Sequence, residues 1–170
     1  NIPTTTATIT MSKGTAFTTT VDGETYQFVT NATHVLTPTS GVYKFSSIPV
    51  FEGTLVTFKY TADSTDVDQR FIVPSVNADT STLKVSIQNS DDGNIVILEY
   101  IVSNKDEANG ASSFTLSGNV GGFSDVSITT VSSAQGGADA QTKESIRFNA
   151  PLQYSAQDRA VTTADYETIV

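Results

Sequence analysis

Period-two alternation, repeated in short runs and punctuated by glycine turns, is the feature that most limits what this chain can fold into. In Thr25 to Thr30, Tyr26 and Phe28 share one side with Thr30; in Val56 to Tyr60, Val56, Phe58 and Tyr60 share one side while Thr57 and Lys59 take the other. Leu83, Val85 and Ile87 alternate in the same way with Lys84, Ser86 and Gln88. A strand turns successive side chains to opposite faces, so each run predicts a half-buried strand. The β-branched Thr and the interspersed Phe and Tyr of the first third suit a pleated surface better than a helix. Ile95 to Val102 is apolar at nearly every position, which predicts a central strand covered on both faces.

Asp22-Gly23, Ser40-Gly41, Glu52-Gly53, Asp92-Gly93-Asn94 and Asn109-Gly110 stand between the runs. Each supplies a residue that tolerates positive φ or a side chain able to bond its own backbone, as tight connections require. Pro38, Pro49 and Pro74 flank the strands, where a residue without an N–H does no harm. The expected fold class is mainly β, with antiparallel sheets in a sandwich-like arrangement and a small α+β C-terminal part. After Ser133 the pattern changes: Gln135-Gly136-Gly137 precedes Asp139 to Arg147, rich in Ala, Gln, Lys and Glu, which predicts a short helix with Asp139 as its N-cap. Pro151 ends that helix, and Thr162-x-x-Asp165 offers a weaker form of the capping box before a second helix from Tyr166 to Val170. The expected organisation is a β-rich region over 1–133, as one sheet system or two small modules. Residues 134–170 follow as short helices packed on the sheet and the start of a further domain. With no initiator Met, and a helix that stops short at Val170, the chain reads as a fragment of something longer.

Composition then removes function classes. Eighteen acidic residues against 9 basic ones give a net charge of -9, a field that repels phosphate backbones, so no nucleic-acid partner is expected. No apolar run approaches the roughly 20 residues that span a bilayer. No membrane partner is expected. The absence of cysteine rules out disulfides, thiolate nucleophiles and Cys-ligated zinc.

The remaining constellations read as structure more readily than as chemistry. The one histidine, His34, lies between two strand runs with no nucleophile signature around it. Asp63-Ser64-Thr65-Asp66-Val67-Asp68 groups three carboxylates but lacks the glycine and the spacing of a calcium loop, so it reads as a solvated acidic connection. Asp91 and Asp92 sit beside Gly93-Asn94, where hairpin chemistry explains them without acid-base catalysis. Gly118-Asn119-Val120-Gly121-Gly122 and Gly136-Gly137 lack the Lys-Ser/Thr ending of a phosphate loop and the spacing of a dinucleotide fingerprint. No catalytic, cofactor-binding or metal-ligating residue is therefore expected, and the chain does not read as an enzyme. A carbohydrate-binding or adhesin-type β-sandwich is the alternative, motivated by Thr richness and by Tyr26, Tyr43 and Tyr60.

The C-terminal segment differs in kind. Arg147, Asp158, Arg159, Asp165 and Glu167 bring both signs of charge among Phe148, Leu152, Tyr154, Val161, Tyr166 and Ile169, a mixture that suits an interface or a polar-laced packing surface. Arg147, Phe148, Tyr154, Asp158, Arg159, Asp165 and Tyr166 are its candidate assembly or packing residues. Three runs here resemble a contractile-tail baseplate wedge protein of T-even-like phages, related to the baseplate J-like proteins. They are Ala134-Gln135-Gly136-Gly137-Ala138-Asp139, Glu144-Ser145-Ile146-Arg147-Phe148-Asn149-Ala150-Pro151 and, above all, Ala156-Gln157-Asp158-Arg159-Ala160-Val161-Thr162-Thr163-Ala164-Asp165-Tyr166. Thr19-Thr20-Val21-Asp22-Gly23, Val50-Phe51-Glu52-Gly53 and Asn94-Ile95-Val96-Ile97-Leu98-Glu99-Tyr100 resemble the T-even type more loosely. The resemblance implies a structural subunit of the virion tail, assembled in the host bacterial cytoplasm. It implies that the subunit pairs with itself as a homodimer and joins other baseplate wedge subunits in a ring around the tail hub, with no cofactor.

Overall fold

The computed structural model describes residues 8–89, 94–139 and 142–148. The described residues are mainly β and antiparallel, with one short helix among them toward the C-terminus. The Asp92-Gly93 hairpin, the Pro151 stop and the second helix from Tyr166 lie outside the described residues. Two compact units divide the chain, residues 1–137 and 138–170.

In the first unit, β1 (Ile9–Met11) pairs with β4 (His34–Leu36). A four-stranded sheet runs in the order β5 (Phe51–Glu52), β3 (Glu24–Val29), β2 (Ala16–Val21), β9 (Thr115–Ser117). β2 and β3 are joined by a two-residue turn in which Asp22 and Gly23 both take positive φ, 51° and 90°, the mirror-image turn whose twist matches that of the strands. Ser40 and Gly41 repeat this geometry between Thr39 and Val42.

Phe28 and Thr30 are buried on the side of β3 that the alternation predicts, with Tyr26 half-buried behind them. Phe28 joins Ile9, Met11, Phe17, Ala108, Ala111 and Val120 in the first core, and meets the ring of Phe114 edge-on at 5.0 Å and 77°. Thr30 is fully buried because its hydroxyl is fully used: Oγ1 donates to the Ser12 carbonyl at 3.0 Å and accepts from the Thr15 N–H at 3.2 Å.

A three-stranded sheet follows in the order β6 (Thr54–Thr61), β8 (Ile95–Val102), β7 (Ala78–Gln88). β8 is central, as its composition predicts. Val96, Leu98 and Tyr100 form a second core on one face. On the other face cover is complete only at Ile101; Ile95, Ile97 and Glu99 are half-buried. The register of β7 shifts between Asp79 and Lys84. Thr82 compensates for the shift, its Oγ1 accepting from the Ile101 N–H at 3.0 Å and donating to the Asp79 carbonyl at 2.8 Å.

Gly53 alone separates β5 in one sheet from β6 in the next. Glu52-Gly53 is thus the crossover between sheets, with φ of 117° at Gly53 and its N–H bonded to the Gln27 carbonyl at 2.8 Å.

Of the second unit, the description reaches a helix over 143–148, α1. It starts three residues later than the composition predicts. Thr142, not Asp139, caps it: Thr142 Oγ1 accepts from the Ser145 N–H at 3.1 Å, and the Thr142 carbonyl from the Ile146 N–H at 2.9 Å. Both residue types can cap; the hydrogen bond to the third helical residue decides between them.

Candidate assembly surfaces

Of the C-terminal residues that the sequence singles out, the structure describes Arg147 and Phe148. Tyr154, Asp158, Arg159, Asp165 and Tyr166 lie outside the described residues. Arg147 and Phe148 are the last described residues of α1, both exposed, and Ile146 beside them is also exposed. Phe148 at 73% is an apolar side chain with little cover in its own unit. Singly exposed apolar residues are common, so the exposure is compatible with a contact surface and does not define one.

The glycine-rich motifs are structural. Asn119 Oδ1 accepts from the Gly122 N–H at 3.1 Å, and Val120 and Phe123 exchange two backbone bonds, closing a tight turn whose Gly121 lies against Ile9. At Gly137 the chain is clasped by Asn109. The amide of Asn109 donates to the Gly137 carbonyl at 2.9 Å and accepts from the Gly137 N–H at 3.1 Å, the two bonds a strand partner would make. Gly110 and Ala111 bond Ala134 on either side, at 2.8 Å each. A Cβ at Gly137 would overlap the Lys105 carbonyl oxygen. Residues 134–137 therefore belong to the first unit.

Polar contacts also tie the two larger sheets together. Lys13 pairs with Glu99 of β8, and Lys84 Nζ donates to the Asn31 carbonyl at 3.1 Å. Glu52 accepts from the Asn104 N–H at 2.7 Å and from its side-chain amide at 2.8 Å, holding the end of β5 to the residues that follow β8. Desolvation nevertheless outweighs those bonds and raises the Glu52 carboxyl above 4.5, with Glu107 adding to the rise. A carboxyl raised on folding favours the folded state when protonated. Its contribution is present below pH 4.5 and is lost as pH rises through the folded-state value. The Glu52 carboxyl carbon followed by NMR is expected to titrate with a midpoint above 4.5 in the native protein and near 4.5 in urea. Equal midpoints would show that burial does not act there.

His34 lies on β4 opposite Met11, and its buried Nε2 has no hydrogen-bond partner among the described residues, so that atom is not arranged to activate a hydroxyl. The acidic connection folds onto itself. Asp63 Oδ1 accepts from the Thr65 hydroxyl at 2.7 Å and its N–H at 2.8 Å, which lowers the Asp63 carboxyl, and Asp66 Oδ1 accepts from the Asp68 N–H at 3.0 Å. Among the described residues no three His, Asp or Glu side chains converge as a metal site would need, and no helix is long and apolar enough to cross a membrane. The tyrosines that motivate a sugar-binding alternative are engaged. Tyr60 donates to the Ile72 carbonyl at 2.6 Å with its ring between Phe58 and Phe71, Tyr26 donates to Glu107 at 3.4 Å, and Tyr43 packs on the first core.

Two apolar surfaces escape the sequence reading. An open groove of about 210 Å³ runs along β9 between Phe114, Leu116, Val126 and Ile128, below the roughly 300 Å³ at which small-molecule pockets begin. The outer half of β7 leaves Val85 58% and Ile87 67% exposed. The alternation of Leu83 to Gln88 predicts their common face correctly, but carries no signal for whether anything covers it. The chain matches no protein-family profile and no curated protein sequence.

Proposed function

We propose that this protein is a structural subunit of a contractile-tail phage baseplate wedge, working in the virion through protein contacts. It pairs with itself and links neighbouring wedges into a ring around the tail hub. The observation that carries this reading is the ordered run Ala156 to Tyr166, supported by the runs at Ala134 to Asp139 and Glu144 to Pro151, all of which resemble that family. A mainly β scaffold of antiparallel sheets tied to one another by an ion pair and hydrogen bonds is compatible with a load-carrying part.

Light scattering is expected to show a dimer or a larger species. Arg and Tyr are the side chains that most often dominate interfaces, and truncation of one costs about 2 kcal/mol or more where it does, so Arg159→Ala or Tyr166→Ala is expected to weaken association roughly 30-fold. A strictly monomeric protein at high concentration, or variants that associate as well as the parent, would count against this reading.

A further inference from the structure

We propose that the outer edge of β7 is a self-pairing edge, at which two copies of this chain join their three-stranded sheets into one continuous antiparallel sheet across a two-fold axis at Ser86. The inference rests on the reading that the chain pairs with itself and names the surface.

Among the described residues no strand pairs with the outer edge of β7, and the stretch Lys84 to Gln88 beyond the register shift is regular against β8. Such an edge offers a row of unpaired backbone donors and acceptors, and proteins that must not pair there commonly protect it with proline, a bulge or inward charge. Lys84 to Gln88 has no proline and no register shift, and its one charge, Lys84, lies on the face opposite Val85 and Ile87. At the opposite edge β6 likewise has no strand partner among the described residues, while its Tyr60 side chain meets the Phe71 ring and the Ile72 carbonyl.

Charge selects the occupant. Two copies of a chain carrying -9 repel over most approaches, yet Thr80 to Asn89 contains no carboxylate and one lysine, so two copies can meet there without acid facing acid. The strand is also self-complementary. With Ser86 opposite the second copy's Ser86, Val85 meets Ile87 on the apolar face, and Lys84 meets Gln88 on the polar face. Moving the axis to Lys84 would set lysine against lysine.

The chain has no cysteine, so Ser86→Cys introduces a single thiol. Directly opposed residues of an antiparallel pair have Cα atoms about 4.5–5.5 Å apart, within the range a disulfide spans. Under oxidised glutathione, Ser86→Cys is expected to give a disulfide-linked dimer on a non-reducing gel at least tenfold faster than Gln88→Cys, whose thiol faces lysine. Ile87→Lys, with an unchanged circular dichroism spectrum, is expected to lower the mass measured by light scattering to that of a monomer. Equal cross-linking of the two cysteine variants, or none, overturns the edge. Light scattering of the parent then separates the cases: a dimer leaves self-pairing through another surface, and a monomer removes self-pairing as well.

Discussion

Replacing Gly53 by alanine is expected to cost the protein about 3–5 kcal/mol, a large part of the roughly 5–15 kcal/mol that holds a domain of ordinary stability together. Two independent penalties meet at this residue. Its φ of 117° lies where a side chain is strained whatever the space around it. The added Cβ would also overlap the carbonyl oxygen of Val102, lie 2.8 Å from the Val102 carbonyl carbon and lie 2.9 Å from Cγ2 of Ile101. Neither neighbour can yield cheaply, because Val102 ends the central strand and Ile101 is completely buried. Gly23→Ala separates the two effects, since Gly23 has φ of 90° and nothing within 4 Å of its added Cβ. It is expected to cost only about 1 kcal/mol. Urea unfolding of the two variants beside the parent makes the measurement. Equal midpoints for the two would show that the crossover is not tightly packed.

Phe28→Ala is expected to destabilise the protein by a similar amount, about 3–5 kcal/mol, through a different mechanism. Phe28 is 3% exposed and occupies the centre of the first core, where it packs edge-on against Phe114. Truncation removes the transfer free energy of the ring and leaves a cavity bordered by strands whose pairing limits collapse. Phe28→Leu, which keeps most of the volume, is expected to lose about 1.5 kcal/mol or less. Ile87→Ala, on a side chain 67% exposed in the single copy, is expected to change the stability of the monomer by about 0.5 kcal/mol or less. A loss at Phe28 no larger than at Ile87 would mean that the four-stranded sheet carries little of the folding energy.

The contrast between Phe28 and Ile87 also shows how far the sequence could be read. Both stand in alternating runs, and alternation sorts side chains onto faces because the pleat has a period of two. It is silent on whether a second layer lies over the face. The turns at Asp22-Gly23 and Ser40-Gly41 were legible because their positive φ values demand particular residues. Glu52-Gly53 looks the same in one dimension, and only the pairing of β5 with β3 and of β6 with β8 distinguishes a hairpin from a change of sheet. The start of α1 was missed for a related reason: Asp139 and Thr142 are both capping residues, and composition cannot tell which reaches an N–H. For the candidate surfaces, the mixture of charge and aromatic groups marks Arg147 and Phe148 in the sequence, and the structure shows both exposed without defining a contact surface. The bond between Asn109 and a glycine 28 residues further on leaves no mark in local sequence.

The Asn109 clasp has a mechanical consequence. The last residue of the first unit is fixed to the turn at residues 105–111, which itself follows directly from the central strand of the three-stranded sheet. Tension arriving along the backbone from beyond Gly137 is therefore delivered at that turn first. The stretch between Ala111 and Ala134, which carries β9 and the buried Val120 and is closed at its ends by the bond from Ala134 N–H to the Ala111 carbonyl, lies behind that point and is loaded only after it. Under load, such an arrangement puts the two bonds of the Asn109 amide in front of the backbone bonds at Ala134.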